Sequence, residues 1–372
     1  MAGKYVTFEP RYCTGCTKCV RACPTSAIRI RNAKAVHFSE LCIGCSECIR
    51  VCPEGAVNST LTTRKPVIEK HAVAIVSPVL YAQFPATMPC DVLTALKNLG
   101  FYRVVDLSYY LEMFQFAIET FIRENRESGQ LPWPLISPIC PVITRLIALK
   151  HPNLLAHIAP IKRPAALAAM EIRSRLCKQN GIDFSDIKLY HITPCPSKAL
   201  SRDAWLYDEL AEIEQALGIN EIYPELCREI EKLHELDMEQ FSYDHYCLVP
   251  DARGPHWGVS GGEIGGIENQ GVLAVSGLRQ VMHYIEKIEM GLFSDTTYIE
   301  LRDCPESCVG GPLTAVDKYV AKSTVQKLVN MYGVNRRLPA DKLKRRYDRN
   351  EFFSNIRPSE IMDQYKNLYS PM

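Results

Sequence analysis

Two copies of one cysteine pattern constrain this chain more than anything else in it. Cys13-x2-Cys16-x2-Cys19-x3-Cys23-Pro24 recurs as Cys42-x2-Cys45-x2-Cys48-x3-Cys52-Pro53. Sixteen cysteines stand in 372 residues, and the N-terminus (M-A-G-K-Y-V) has no signal-peptide apolar core. That combination points to metal ligands rather than disulfides, with the cytoplasm as the expected location. A zinc ribbon or a metal-free remnant is the alternative, and two intact copies argue against it.

The repeat is the bacterial two-cluster ferredoxin pattern, in which the fourth cysteine of each run ligates the other cluster. Cys13, Cys16, Cys19 and Cys52 are therefore expected to hold one 4Fe–4S cluster, and Cys42, Cys45, Cys48 and Cys23 a second. Residues 1–60 read as an α+β ferredoxin-like domain, and the polar stretch 61–70 as a linker. Arg29 to Val36 (R-I-R-N-A-K-A-V) reads as a basic hairpin. It is either a solvated face or a docking patch for an acidic redox partner, such as a ferredoxin or a flavoprotein subunit.

A further group of thiols is spread more widely. Ile299 to Leu313 (I-E-L-R-D-C-P-E-S-C-V-G-G-P-L) holds Cys304 and Cys308, with Gly310-Gly311 just beyond. The glycines permit the sharp turn that a shared metal centre needs. Two thiolates do not complete a cluster. Cys140 in S-P-I-C-P and Cys195 in T-P-C-P-S-K each sit beside a proline that stiffens the chain where a ligand must be aimed. Cys140, Cys195, Cys304 and Cys308 are expected to hold a third 4Fe–4S cluster.

Taken in order, S-P-I-C-P, P-C-x-x-K and E-x-x-x-C-x-x-x-C-x-G-G resemble the H-domain of FeFe-hydrogenases. His71 to Pro85 looks like that family's first strand, and Val92 to Asp106 like its first helix-plus-strand unit. The resemblance runs over roughly residues 70 to 330. It implies an α/β domain over 71–335, two lobes of parallel sheet flanked by helices, with the third cluster between the lobes. Residues 336–372, basic and then aromatic, read as a C-terminal extension wrapped on the surface. Local pattern places a strand at 72–76, a helix over Asp91 to Leu99 with Asp91 as N-cap, and a strand at 102–107. It also places helices at 109–125, 142–150, 204–236 and 277–291, and strands at 187–193 and 297–301.

The resemblance also assigns roles, and several positions depart from them. Lys198 stands where the family's lysine hydrogen-bonds a cyanide of a two-iron subcluster, a group bridged to the third cluster through the position of Cys308. The family relays protons through a carboxylate on its first long helix; Glu112 and Glu119 lie there without matching it and read as surface carboxylates. The thiol that passes protons to the catalytic iron is Ile139 here, which can neither donate nor accept one. A second relay glutamate corresponds to Ser201. The methionine that packs on the two-iron site is Arg302, whose charge must be paired or solvated and whose bulk crowds that group. The glycine run after Cys308 is shortened to V-G-G-P-L.

Other features exclude more than they assign. Lys+Arg 43 against Asp+Glu 42 leaves a net charge of +1, so no general electrostatic case exists for nucleic acid or an anionic membrane. The longest uncharged stretch, His71 to Cys90, is broken by Pro78, Pro85 and Pro89, and no membrane span is expected. Gly258-Val259-Ser260-Gly261-Gly262 fits a nucleophile elbow in letters, but the I-E-N-Q-G run after it lacks the packed apolar helix that an elbow needs. Cys90, Cys177, Cys227 and Cys247 lack ligand spacing and read as small buried apolar residues.

Two functions fit these residues. The first is a hydrogenase-derived iron–sulfur protein that carries or senses electrons through three 4Fe–4S clusters without turning over hydrogen; Ile139, Ser201 and Arg302 favour it. The second is an FeFe-hydrogenase-type oxidoreductase or hydrogen sensor with a two-iron subcluster, in which Lys198 and Cys308 serve the reaction. Lys198 and Arg302 are the side chains expected to face the cofactor. The oligomeric state is not legible in the sequence.

Overall fold

The computed structural model describes residues 5–61, 68–127, 131–199, 213, 215–235, 253–267, 271–335 and 338–354. Ser201, Cys247, Tyr365 and Tyr369 lie outside them, as does 62–67 of the linker.

The N-terminal domain is built on its repeat. Strand β1 (Val6–Phe8), helix α1 (Lys18–Ala22) and the hairpin β2 (Ile28–Arg31) and β3 (Lys34–His37) are followed by helix α2 (Glu47–Arg50) and strand β4 (Val57–Ser59). β1 pairs antiparallel with β4, and β2 with β3. The two copies share their backbone. Gly15 and Gly44 have φ of 71° and 75°, and Thr17 and Ser46, which open the two helices, have φ of 65° and 62°. A Cβ on Gly15 would stand 2.5 Å from the Ala33 carbonyl oxygen, so the first ligand loop lies directly on the hairpin.

The larger domain has two parallel sheets. In the first, β5 (Ala72–Val76), β6 (Arg103–Asp106), β8 (Lys188–Thr193) and β9 (Gln215–Gly218) lie in the order β6-β5-β8-β9. In the second, β7 (Leu135–Ile136), β10 (Val272–Ser276) and β11 (Tyr298–Arg302) lie in the order β10-β11-β7. Helices α3 (Pro89–Asn98), α4 (Ser108–Asn125), α5 (Pro141–Lys150), α6 (Pro164–Asn180) and the short α7 (Pro196–Ala199) connect them. Then come α8 (Ile219–Glu235), α9 (Arg253–Trp257), α10 (Leu278–Glu289), α11 (Lys318–Tyr332) and α12 (Ala340–Asp348).

β5 is apolar at every position because both of its faces are covered. Ala72, Ala74 and Val76 pack with Leu96, Leu226 and Val325 of α3, α8 and α11. Val73 and Ile75 pack with Phe114, Leu167 and Leu343 of α4, α6 and α12. Each such large apolar side chain contributes roughly 1.5–3 kcal/mol on burial. On the second sheet, Ile299 and Leu301 pack with Val142 and Leu146 of α5 and with Val281 and Ile285 of α10.

Several local expectations are corrected. α3 starts at Pro89, with Asp91 inside its first turn and not at the cap, because proline's fixed φ suits that first position. The helix expected over 204–236 is, in its described part, the strand β9 followed by α8. Two cues, charge and length, hid a strand that completes the first sheet. The extension is not only a surface wrap: Phe352 is 0% exposed, inside the core with Leu343 and Tyr347. Glu112 is buried, and its Oε1 accepts from the backbone N–H of Leu338 at 2.9 Å. Cys90 is disulfide-bonded, and Cys177 and Cys227 are free and only partly buried.

Candidate metal centre

Parallel strands send their carboxyl ends the same way, and in such sheets ligands gather there. Here three ends supply one cavity. β8 runs out into Pro194-Cys195, β11 into Asp303-Cys304, and the chain after β7 reaches Cys140 at the mouth of α5. Cys140, Cys195, Cys304 and Cys308 together line a cavity of about 20 Å³. Two cavities of the same size lie in the N-terminal domain. One is lined by Cys13, Cys16, Cys19 and Cys52, the other by Cys23, Cys42, Cys45 and Cys48. These are the crossed sets that the repeat predicts.

Among the described residues, no three His, Cys, Asp or Glu side chains close on a point where a single ion would sit. The thiols stand around cavities instead, four to each, which is the donor set and arrangement that a 4Fe–4S cube requires. Burial pushes the Cys140 thiol up to about 12, with Asp303 adding to the rise, while backbone amides of Asp303 and Ile143 work against it. Burial likewise raises Cys42 to about 11 and Cys48 to about 12. Iron must therefore displace protons on loading.

The loop between Cys304 and Cys308 corrects one expectation. Its left-handed residues are Glu306 and Ser307, at φ of 60° and 68°, not the glycines. Gly310 and Gly311 serve close approach: a Cβ would stand 1.9 Å from the Pro305 carbonyl oxygen in one case and 2.5 Å from that of Pro194 in the other.

The three sets form a sequence in space: outer, middle and inner. Cys16 of the outer set is exposed. Ile43 and Cys45 of the middle set share an apolar cluster with Cys140, Val142 and Ile143 beside the inner set. Arg145 of α5 bonds the Ile43 carbonyl (3.3 Å) and Ser197 Oγ, and its guanidinium lies 4.6 Å from the Tyr5 ring centroid.

A larger cavity of about 70 Å³ adjoins the inner set; Ile139, His191, Lys198, Trp257, Arg302 and Cys308 are among its lining residues. Lys198 Nζ lies 3.9 Å from Cys308 Sγ. Burial, then the charges of Lys198 and Arg163, push His191 down to about 3, so it is neutral. Arg302 is 1% exposed and is paired rather than solvated. It donates to Glu263 Oε2 and approaches Glu300 Oε1 at 3.5 Å. Strand periodicity puts Tyr298, Glu300 and Arg302 on one face of β11, and the Tyr298 hydroxyl donates to Glu263 Oε1 at 2.5 Å. Ser137 completes the network: its hydroxyl donates to Glu263 Oε2 (3.0 Å) and accepts from the Ile139 N–H (3.3 Å). Burial works against the Arg302 charge, and Glu263 and Glu300 more than offset this. Glu300 itself is raised to about 7 by burial, against the pull of Arg302.

Glu263, Glu300, Asp303, His191 and Arg50 are site residues that sequence reasoning missed. Glu300 had a signal, two residues from an arginine on the same strand face. Glu263 had none, since its partners are far away in the chain. Ser260 is exposed and follows the helical α9 rather than a strand, so the elbow pattern has no elbow.

Residues 70–267 match the model of the iron-only hydrogenase large subunit, C-terminal domain. The chain belongs to that family. Its hydrogenase-family domain follows a 4Fe–4S dicluster domain matched over 5–53. The family match ends before Cys304 and Cys308, and it is the fold that brings these two to Cys140 and Cys195. An apo FeFe-hydrogenase from Chlamydomonas reinhardtii is similar in structure, with a TM-score of 0.56 and 16% identity over 79% of this chain and 93% of that one. A structure reporting stepwise H-cluster assembly in an FeFe-hydrogenase gives 0.56 and 17% over 80% and 95%. A probable cytosolic Fe–S cluster assembly factor of Caenorhabditis elegans, oxy-4, is 24% identical over 257 residues, 58% of this chain and 55% of that protein. The chain thus spans about half the length of this curated relative. It is a hydrogenase-derived iron–sulfur protein. No helix among the described residues is long and apolar enough to cross a membrane.

Proposed function

We propose that the protein holds three 4Fe–4S clusters, on the outer, middle and inner thiol sets, and carries or senses electrons without turning over hydrogen. The observation that carries this reading is the gathering of twelve cysteines into three four-thiol cavities. Bound there, 4Fe–4S clusters supply one-electron redox chemistry. The chain's own part is to hold them close, keep water off the middle and inner sulfurs, and present charge to the inner set.

The two-iron group of active hydrogenases does not fit the residues of the larger cavity. Ile139 offers no proton, and Arg302 stands in the wall with two buried carboxylates behind it. Iron analysis and infrared spectroscopy of anaerobically matured protein test the reading. About twelve irons (three clusters of four) and no CO or CN stretching bands are expected. Such bands would restore the hydrogenase alternative, and about eight irons would remove the inner cluster.

The redox partner is part of the proposal. Arg29 and Arg31 of the hairpin are exposed, and their guanidinium carbons lie 5.2 and 5.6 Å from the Phe38 ring centroid. Lys34 instead turns inward, donating to the Cys13 carbonyl at 2.6 Å. An acidic donor docking on the two arginines beside the outer set should transfer electrons more slowly as salt rises. A rate independent of ionic strength in stopped-flow measurements would send the search for the docking face elsewhere. A cytoplasmic location goes with the cytosolic relative and with the free thiols of the three sets, although Cys90 is disulfide-bonded.

Likeness to the assembly factor favours a second reading, a role in iron–sulfur cluster assembly. Passage of labelled iron from the loaded chain to an apo-acceptor separates the two, since an electron carrier keeps its iron.

A further inference from the structure

We propose that Arg50, a residue of the dicluster domain, acts on the inner site: it positions Cys304 and makes the inner cluster the one on which an added electron is most stable. This rests on the three-cluster reading.

Arg50 ends α2, two residues after Cys48 and two before Cys52, yet its side chain leaves its own domain. Nη2 donates to Cys304 Sγ at 3.3 Å and to the Gly310 carbonyl at 3.2 Å. Nη1 donates to the Cys45 carbonyl at 3.3 Å and to Glu47. One planar fork thus joins the backbone of a middle-set ligand to the sulfur of an inner-set ligand, a geometry that a lysine cannot reproduce. Lys198, from the hydrogenase-family domain, approaches Cys308. The inner set therefore has a cation from each domain at its sulfurs. The sulfur bonds described in the outer and middle sets involve no cation: Ala35 N–H to Cys13 (3.4 Å), Ala27 N–H to Cys23 (3.2 Å) and the Thr25 hydroxyl with Cys23 (3.8 Å). Asp303 Oδ2, 3.9 Å from Cys304 Sγ, offsets part of the Arg50 charge without reaching the sulfur as closely. Reduction adds negative charge, and a charged N–H donor on a ligand sulfur favours the reduced state.

The test is an EPR-monitored redox titration of the loaded full chain, with the inner signal identified by its loss in Cys304→Ser. In Arg50→Gln, the ratio of reduced to oxidised inner cluster should fall about tenfold at a fixed potential, ~59 mV for one electron. Arg50→Lys should fall less. Glu47→Gln should move the other way, since it frees Arg50 of a counter-charge, a rise that mere loosening of the domain contact does not produce. An unmoved inner midpoint in Arg50→Gln at full iron content overturns the proposal, as does a fall in both Arg50→Gln and Glu47→Gln. If Arg50→Gln loses the inner cluster, Arg50→Lys and Glu47→Gln decide: opposite shifts support the proposal, and no rise in Glu47→Gln sinks it. About eight irons in the unmutated chain would instead be the failure of the three-cluster reading.

Discussion

A guanidinium survives in the interior at position 302 because two carboxylates reach it, and removing it would strand them. Arg302→Met leaves Glu263 and Glu300 buried without their cation, a loss of about 3–5 kcal/mol. The expected outcome is a lower urea midpoint for the loaded protein. Replacing Glu263 and Glu300 with apolar residues in the same variant should recover most of it, because a buried ionic network is only weakly stabilising against well-packed hydrophobic substitutes. A triple variant no better than the single one would mean that packing at 302, and not charge, sets the cost. Gly310 makes a similar point by absence, since any side chain there strikes the Pro305 carbonyl. Arg302 lines the inner four-thiol cavity, and Gly310 lets the ligand loop close beside it, so both shape what the inner site admits.

Among the elements, α5 and α12 do the most to hold the site. α5 places Cys140 at its N-cap, where the amide ends of the helix favour negative charge on the sulfur. Its apolar face meets the second sheet and Ile43 of the dicluster domain. α12 and the residues after it close the core around α4 and α6. Ile161 pairs with Phe353, the Lys162 N–H donates to the Phe352 carbonyl at 2.8 Å, and Arg346 bonds Glu171 at 3.0 Å. Phe352→Ala should therefore cost about 3–5 kcal/mol, the cost of a fully buried ring, rather than the small change of a surface tail. Denaturant unfolding followed by tryptophan fluorescence reads this, and a change within about 0.5 kcal/mol would put the ring outside the core.

Over the whole molecule, two parallel sheets aim their carboxyl ends at one cavity, and a ferredoxin-like domain is pressed against the same point. The hydrogenase alternative asks for a proton relay at that point. Ile139→Cys restores the thiol that the hydrogenase resemblance expects, but leaves Arg302, Glu263 and Glu300 in the wall. Hydrogen evolution by this variant, measured by gas chromatography after maturation, should stay at background. Robust evolution would show that only the proton relay was missing.

The sequence alone determined the crossed thiol sets of the first domain, because ligand spacing is local and repeated. It also determined part of the strand–helix alternation of the second domain, because period and turn residues are local too, but β7, β9 and β10 were not legible in it. Cys140, Cys195, Cys304 and Cys308 could be named as a set from their proline and glycine neighbours and from the family resemblance, but not placed together. What brings them together is three strand ends converging, a property of the packed sheets. Only the tertiary structure decided where the charges go. Arg50 and Cys304 are 254 residues apart, and Glu263 meets Arg302 across 39. No pattern within a window of sequence carries a contact of that range, because it exists only once both domains have buried their apolar faces.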